Sequence, residues 1–280
     1  MRLNELCLTL ALAALTACGA GSTQSSKDMN EKRTLVKFET TAGNFTVALY
    51  DETSKHRDNF IKLVKEEFYD NTLFHRVIRN FMIQAGDPES KTASDTASLG
   101  NGEVGYTVSA EFMPVKYFHR RGALAAARQG DEVNPAKASS GCQFYIVTGR
   151  TFTQDQLLNL EGQLNEQRKG AIFNELAHRE AKEIDKLRRA GDQARLLRLQ
   201  DSLESRAHRQ LKKEGYFKFT PAQLQAYTTV GGAPHLDGSY TVFGEVVKGM
   251  DTIEKIESSR TNKADRPLTD VRILKETLIE

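Results

Sequence analysis

Residues 74–87 read Phe74-His75-Arg76-Val77-Ile78-Arg79-Asn80-Phe81-Met82-Ile83-Gln84-Ala85-Gly86-Asp87, two short apolar runs that set an arginine and a glutamine among oily neighbours. Side chains of a strand alternate between faces, so Phe74, Arg76 and Ile78 share one side of the first run, and Met82 and Gln84 share one side of the second. An arginine so placed either snorkels over an apolar rim, its ordinary role when seen alone, or aims a permanently charged hydrogen-bond donor into an apolar pocket. No His, Cys, Asp or Glu cluster has metal-ligand spacing, and no nucleoside-phosphate loop occurs, so neither a metal nor another cofactor is expected.

Three later blocks accompany this one. They are Gly122-Ala123-Leu124-Ala125-Ala126-Ala127-Arg128, Ser139-Ser140-Gly141-Cys142-Gln143-Phe144-Tyr145-Ile146-Val147, and Leu236-Asp237-Gly238-Ser239-Tyr240-Thr241-Val242-Phe243-Gly244-Glu245-Val246. In their order and wording, with residues 74–87, they resemble the signature of the cyclophilin family of peptidyl-prolyl cis-trans isomerases. The resemblance runs from about residue 35 to the C-terminus apart from one long interruption. A lone Phe-His-Arg would be weak; four ordered blocks are specific.

The activity that this resemblance implies needs no covalent step. An X-Pro amide turns slowly because resonance is lost over a barrier of roughly 18 to 20 kcal/mol. A catalyst holds the proline ring, strips water from the planar amide and offers a hydrogen bond to the imide nitrogen as it pyramidalises, which is differential binding of a transition state. Carried over position by position, the resemblance makes Arg76 the donor and Phe81, Met82, Tyr145, Leu236 and Tyr240 the proline pocket. Gln84 and Gln143 become polar contacts, and Ala127 and Arg128 line the channel for the residue before proline, mainly through backbone groups.

This chain departs from the pattern at His235, where many cyclophilins carry a tryptophan that contacts cyclosporin, which puts sensitivity to that drug in doubt. Tyr240 stands for a common histidine, Tyr145 for a common phenylalanine and Arg128 for a frequent asparagine; His75 and His119 read as structural.

The elements that must position these residues are legible from their periods. Residues 34–40 and 44–49 alternate around Thr41-Ala42-Gly43, a β-hairpin, and residues 54–67 carry Phe60, Ile61, Leu63 and Val64 at helical spacing. Residues 88–105 read as a long surface loop before a strand near Thr107, and the chain closes with a helix near 250–256 and a strand over 271–279. Many short strands suggest a barrel. The resemblance sharpens this to a mainly β fold: a closed eight-stranded antiparallel barrel with two capping helices, made by residues 34–152 and 233–280.

Residues 153–232 form the interruption, an inserted α-helical arm. Thr153 with Gln156 and Thr220 with Gln223 have capping-box spacing, Pro221 sits at a first helical position, and Gly191 marks a turn. Leucines at 157, 160 and 164, then Ile172, Leu176, Ile184 and Leu187, then Leu196, Leu199, Leu203 and Leu211 give helical stripes. The many Glu, Lys and Arg between them read first as a solvated face and second as a docking arm. The arm is expected to be separable and to supply none of the site.

Net charge is +2 with 27% charged residues of both signs, which argues against nucleic acid as a partner, and 39% hydrophobic residues suffice for a core. Residues 1–18 read as a signal peptide, too short for a stable membrane helix, with Leu15-Thr16-Ala17-Cys18 resembling a bacterial lipobox that would place a lipid anchor on Cys18. Residues 19–33 read as a flexible tether. With Cys7 removed and Cys18 modified, Cys142 would remain alone, a buried inert thiol. The resulting expectation is a lipid-anchored isomerase of the bacterial cell envelope, facing the periplasm or the exterior and acting on proline-containing exported or unfolded polypeptides. A competing reading from another class is a non-catalytic peptide-binding or holdase chaperone that recognises clients through the arm.

Overall fold

The computed structural model describes residues 33–279; the expected signal segment, Cys18 and the tether as far as residue 32 lie outside the described residues. The alternating runs at the start form the expected hairpin, β1 (Leu35–Thr40) and β2 (Gly43–Leu49), with Gly43 at φ +137° where a side chain would be strained. Helix α1 (Ser54–Lys65) follows and buries Phe60, Leu63 and Val64. Then come β3 (Arg76–Ile78), β4 (Met82–Ala85), β5 (Thr107–Val108), β6 (Ala123–Ala126), β7 (Ser139–Ser140) and β8 (Phe144–Val147). Four helices occupy the interruption: α2 (Gln154–Arg179), α3 (Ala181–Arg189), α4 (Gln193–Glu214) and α5 (Pro221–Thr229). Strand β9 (Val242–Lys248), helix α6 (Met250–Glu257) and strand β10 (Ile273–Ile279) complete the chain.

Eight strands form one antiparallel sheet in the order β10-β1-β2-β9-β6-β8-β4-β3, and β5 pairs with β7 apart from it. The expected closed barrel is corrected here: the sheet is curled, and its end strands β10 and β3 do not pair with each other. Irregular backbone spans the gap instead, with Phe74 N–H donating to the Val271 carbonyl and Asn71 N–H to that of Ile273. The reason is local. β3 is only three residues long, so most of the polar backbone facing β10 belongs to the turn before it.

Alternation splits the sheet's side chains between two cores. One face sends Val77, Ile83, Ala85, Leu124, Ala126, Phe144 and Ile146 into the interior with Phe38, Phe45 and Phe60, and α1 and α6 cover it. The other face carries Met82, Ala123, Ala125, Tyr145, Val147 and Val242, over which Ala233 and Leu236 pack. Both faces of β6 and β8 are buried, which explains their unbroken apolar wording.

Both capping boxes of the arm form as the sequence predicts, Thr153 with Gln156 and Thr220 with Gln223. Helices α2 and α4 pack through Ile172, Leu176, Leu203, Ala207 and Leu211, while ion pairs such as Asp192–Arg195 and Glu183–Lys186 decorate exposed turns. The arm's two ends meet, for Gly232 N–H donates to the Arg150 carbonyl at 3.0 Å and Ala233 N–H to that of His119 at 2.8 Å. A side chain on Gly232 would strike the His119 carbonyl, so only glycine fits the crossing. Helix α5 is bonded to the segment that precedes β9: its Gln223 and Tyr227 both donate to Asp237.

Candidate active site

The sequence residues converge because of register. Arg76 pairs with Gln84, Gln84 with Tyr145 and Tyr145 with Ala125, one row across β3, β4, β8 and β6 on the outer face of the sheet. The adjacent row is Ile78, Met82 and Val147. These rows floor a cleft of about 380 Å³. Every residue that the resemblance assigns to catalysis or substrate binding lines it: Arg76, Phe81, Met82, Gln84, Ala127, Arg128, Gln143, Tyr145, Leu236 and Tyr240.

The apolar wall is firm. Met82 and Tyr145 are almost wholly buried, and Tyr240 meets Tyr145 edge-on at 6.0 Å between centroids. Phe81 stands at the mouth, 5.4 Å from the ring of His235. The Arg76 side chain is 45% exposed, with Nε 3.7 Å from Asp265 Oδ2, a loose and solvated pair.

Several roles differ from what sequence alone conveys. Gln143 is buried and turned to its own protein: its Nε2 donates to the carbonyls of Gly100 and Gly102 at 3.1 and 2.8 Å. The supposed surface loop thereby becomes a wall, with Leu99, Gly100, Asn101 and Glu103 lining the cleft. Asp87, also buried, anchors the same loop through the N–H groups of Glu89 and Gly100.

Arg128 acts with its side chain as well as its backbone. Its guanidinium lies 4.4 Å from the centre of the Tyr240 ring, donates to the Ser239 carbonyl at 2.8 Å and pairs with Asp131 at 2.7 Å. Ala127 has both backbone groups engaged, with Gln143 and Ser140, whereas neither the N–H nor the C=O of Arg128 has a partner among the described residues.

His75 borders the cleft with both ring nitrogens buried and unpartnered, and burial pushes its pKa down to about 4. His56 joins Glu111 Oε2 at 2.7 Å to Ser139 Oγ at 2.9 Å, the order of an acyl-transfer triad. Ser139 is 1% exposed and lies outside the cleft lining, so the trio ties α1 to β7 rather than attacking a substrate. Cys142 is buried as expected, and burial raises its thiol pKa to about 12, so no thiolate nucleophile forms near neutrality. Among the described residues no group of three or more metal-ligating side chains gathers.

The curled antiparallel sheet carries this cleft on its outer face, and comparison with known proteins identifies the family. The sequence matches the family described as "Cyclophilin type peptidyl-prolyl cis-trans isomerase/CLD" over residues 35–193 and 213–277, and the chain belongs to that family. It is thus an enzyme of the peptidyl-prolyl cis-trans isomerase class. A Staphylococcus epidermidis protein named as such an isomerase is 26% identical over 251 residues, 89% of this chain and 94% of its own. A Staphylococcus saprophyticus protein of the same name is 27% identical over 92% of this chain and 98% of its own. Among solved structures, a cyclophilin-type isomerase of Cryptosporidium parvum superposes with a TM-score of 0.53 at 19% identity, covering 89% of this chain and 98% of that one. A second structure of it, determined in the presence of the dipeptide Ala-Pro, gives 0.50 at 18% identity, covering 88% and 99%. At these identities the superpositions establish the cyclophilin-like fold.

Proposed function

We propose that Arg76 is the catalytic group and that isomerisation proceeds by strain-free differential binding, with no covalent intermediate. The observation that carries this reading is the row Arg76–Gln84–Tyr145, which sets a permanent donor in the same cleft as the side chains of Phe81, Met82, Tyr145 and Leu236. Phe81, Met82, Tyr145, Leu236 and Tyr240 hold the proline ring and exclude water from its amide. The free N–H and C=O of Arg128 grip the residue before proline as a short strand would. As the amide twists, its nitrogen gains a lone pair, and the guanidinium stabilises it more than it stabilises the planar ground state. Proline-containing peptides are therefore the substrate class, in keeping with the Ala-Pro present in the neighbour's structure.

The test is isomerisation of an X-Pro peptide by a form lacking residues 1–18, beside Arg76→Ala. A loss of roughly 10²–10³-fold in kcat is expected. Equal rates would remove Arg76 from the mechanism, and no rate in either form would sink the activity.

The N-terminal sequence supports a reading of the protein's place. The segment ending Leu15-Thr16-Ala17-Cys18 supports a lipid anchor on Cys18, which would hold the enzyme on the cell envelope to act on exported polypeptides. Cys18→Ser should release it from membranes; continued membrane fractionation in high salt would defeat the anchor.

A further inference from the structure

We propose that the last helix of the arm is a positioning element of the proline pocket, acting through a buried chain of four side chains that begins at Tyr227. Tyr227 Oη donates to Asp237 Oδ2 at 2.6 Å, and Gln223 Nε2 donates to the same oxygen at 3.0 Å. Asp237 Oδ1 accepts from the His119 backbone N–H and from its ring Nδ1, each at 2.9 Å. His119 Nε2 lies 3.0 Å from Tyr145 Oη, and Tyr145 walls the pocket.

The bonds into Asp237 have a fixed direction. Its carboxylate only accepts, so the His119 ring sets a proton on Nδ1 against it, while Nε2 meets the Tyr145 hydroxyl. Gln223 cannot turn its amide over, because its Oε1 already takes the Thr220 N–H of the capping box at 2.9 Å. Both oxygens of Asp237 are thus satisfied by donors, and two of those donors come from α5. Buried networks of this kind fix side-chain positions when complete and loosen when one member is removed. Asp237 directly follows Leu236, so the same clamp holds a second wall residue.

This inference rests on the isomerase reading. Tyr145 and Leu236 touch the proline ring in ground state and transition state alike, so loosening them weakens binding uniformly and appears in KM. Arg76, by contrast, acts on kcat.

The experiment measures kcat and KM for an X-Pro peptide in the full-length chain and three variants. Tyr227→Phe removes one hydroxyl, and Gln223→Glu keeps the capping acceptor but sets an oxygen against Asp237. Leu203→Ala weakens the α2–α4 packing away from the chain of bonds. Tyr227→Phe and Gln223→Glu are expected to raise KM roughly three- to ten-fold with kcat within about twofold, and Leu203→Ala to leave KM unchanged. An unchanged KM in the first two overturns the inference, as does an equal rise in all three or a fall in kcat at constant KM. An inactive wild type would instead overturn the isomerase reading.

Discussion

Gln84 Nε2 stands 2.9 Å from Gln143 Oε1, and the direction of that bond is set by a third party. Gln143 spends its own Nε2 on the carbonyls of Gly100 and Gly102, so its Oε1 must accept and Gln84 must donate. Gln84 Oε1 is then left as an acceptor on the residue that pairs with Arg76 across β3 and β4. One amide therefore fixes the loop over the cleft, and through Gln84 it orients the neighbour of the guanidinium.

Gln143→Leu should for that reason damage activity and loop order together. The Gly100 and Gly102 carbonyls lose their shared donor, at roughly 1–3 kcal/mol for each acceptor left buried. We expect kcat/KM to fall at least about tenfold, and proteolytic cleavage within residues 93–103 to accelerate. Wild-type activity with a nicked loop would show that the wall takes no part in turnover.

Arg76 and its neighbour Asp265 should separate cleanly. Their pair is long and about half exposed, so Asp265→Asn should move stability by less than about 0.5 kcal/mol. Arg76→Lys keeps the charge but loses the planar fork, and its kcat should fall at least about tenfold. Thermal melts and peptide kinetics check both. A Lys variant with full kcat would mean that charge alone suffices.

The hairpin, α1, α6 and both capping boxes were legible because each is written in neighbours three or four residues apart, or in strict alternation. The cleft was legible through resemblance, and the structure gathers its residues because β3, β4 and β8 keep a register that puts Arg76, Gln84 and Tyr145 on one face. What sequence did not reveal is non-local hydrogen bonding. The bonds from Gln143 to residues 100 and 102, and from Asp237 to His119 and Tyr227, leave no periodic mark. For the same reason the arm read as detachable, although α5 is tied to the wall of the site. The open ends of the sheet depend on β3 being three residues long, a boundary that apolar wording alone does not set.

His75 should make the fold sensitive to acid. Burial depresses its folded pKa to about 4, opposed only in part by Asp87 and the Leu73 backbone. Its contribution is present above the ordinary histidine value of about 6.5 and is lost as pH falls toward 4, because the unfolded chain binds the proton first. The loss is on the order of 3 kcal/mol across that window. Urea midpoints for wild type should drop between about pH 6.5 and about pH 4, and His75→Leu should flatten that part of the curve. Parallel curves for the two proteins would mean that His75 is not the titrating group.

Glu276 on β10 should act in the opposite sense. Its Oε1 accepts the Tyr69 N–H at 2.8 Å, while its Oε2 and the Asp70 Oδ1 are buried without another donor. Burial first, and the adjoining Asp70 carboxyl second, hold the Glu276 pKa above the usual carboxylate range, so the folded protein keeps a proton that the two acids can share. A folded pKa above the unfolded one gives stability that is complete at low pH and is lost as pH rises through the folded value. Glu276→Gln keeps an acceptor for Tyr69 and supplies a permanent donor toward Asp70, so it no longer depends on that proton. Melting temperatures taken from about pH 5 to about pH 9 should fall more steeply in wild type than in Glu276→Gln, with the variant the more stable at the alkaline end. Equal slopes, or a variant that is less stable throughout, would show that no shared proton holds this edge of the sheet.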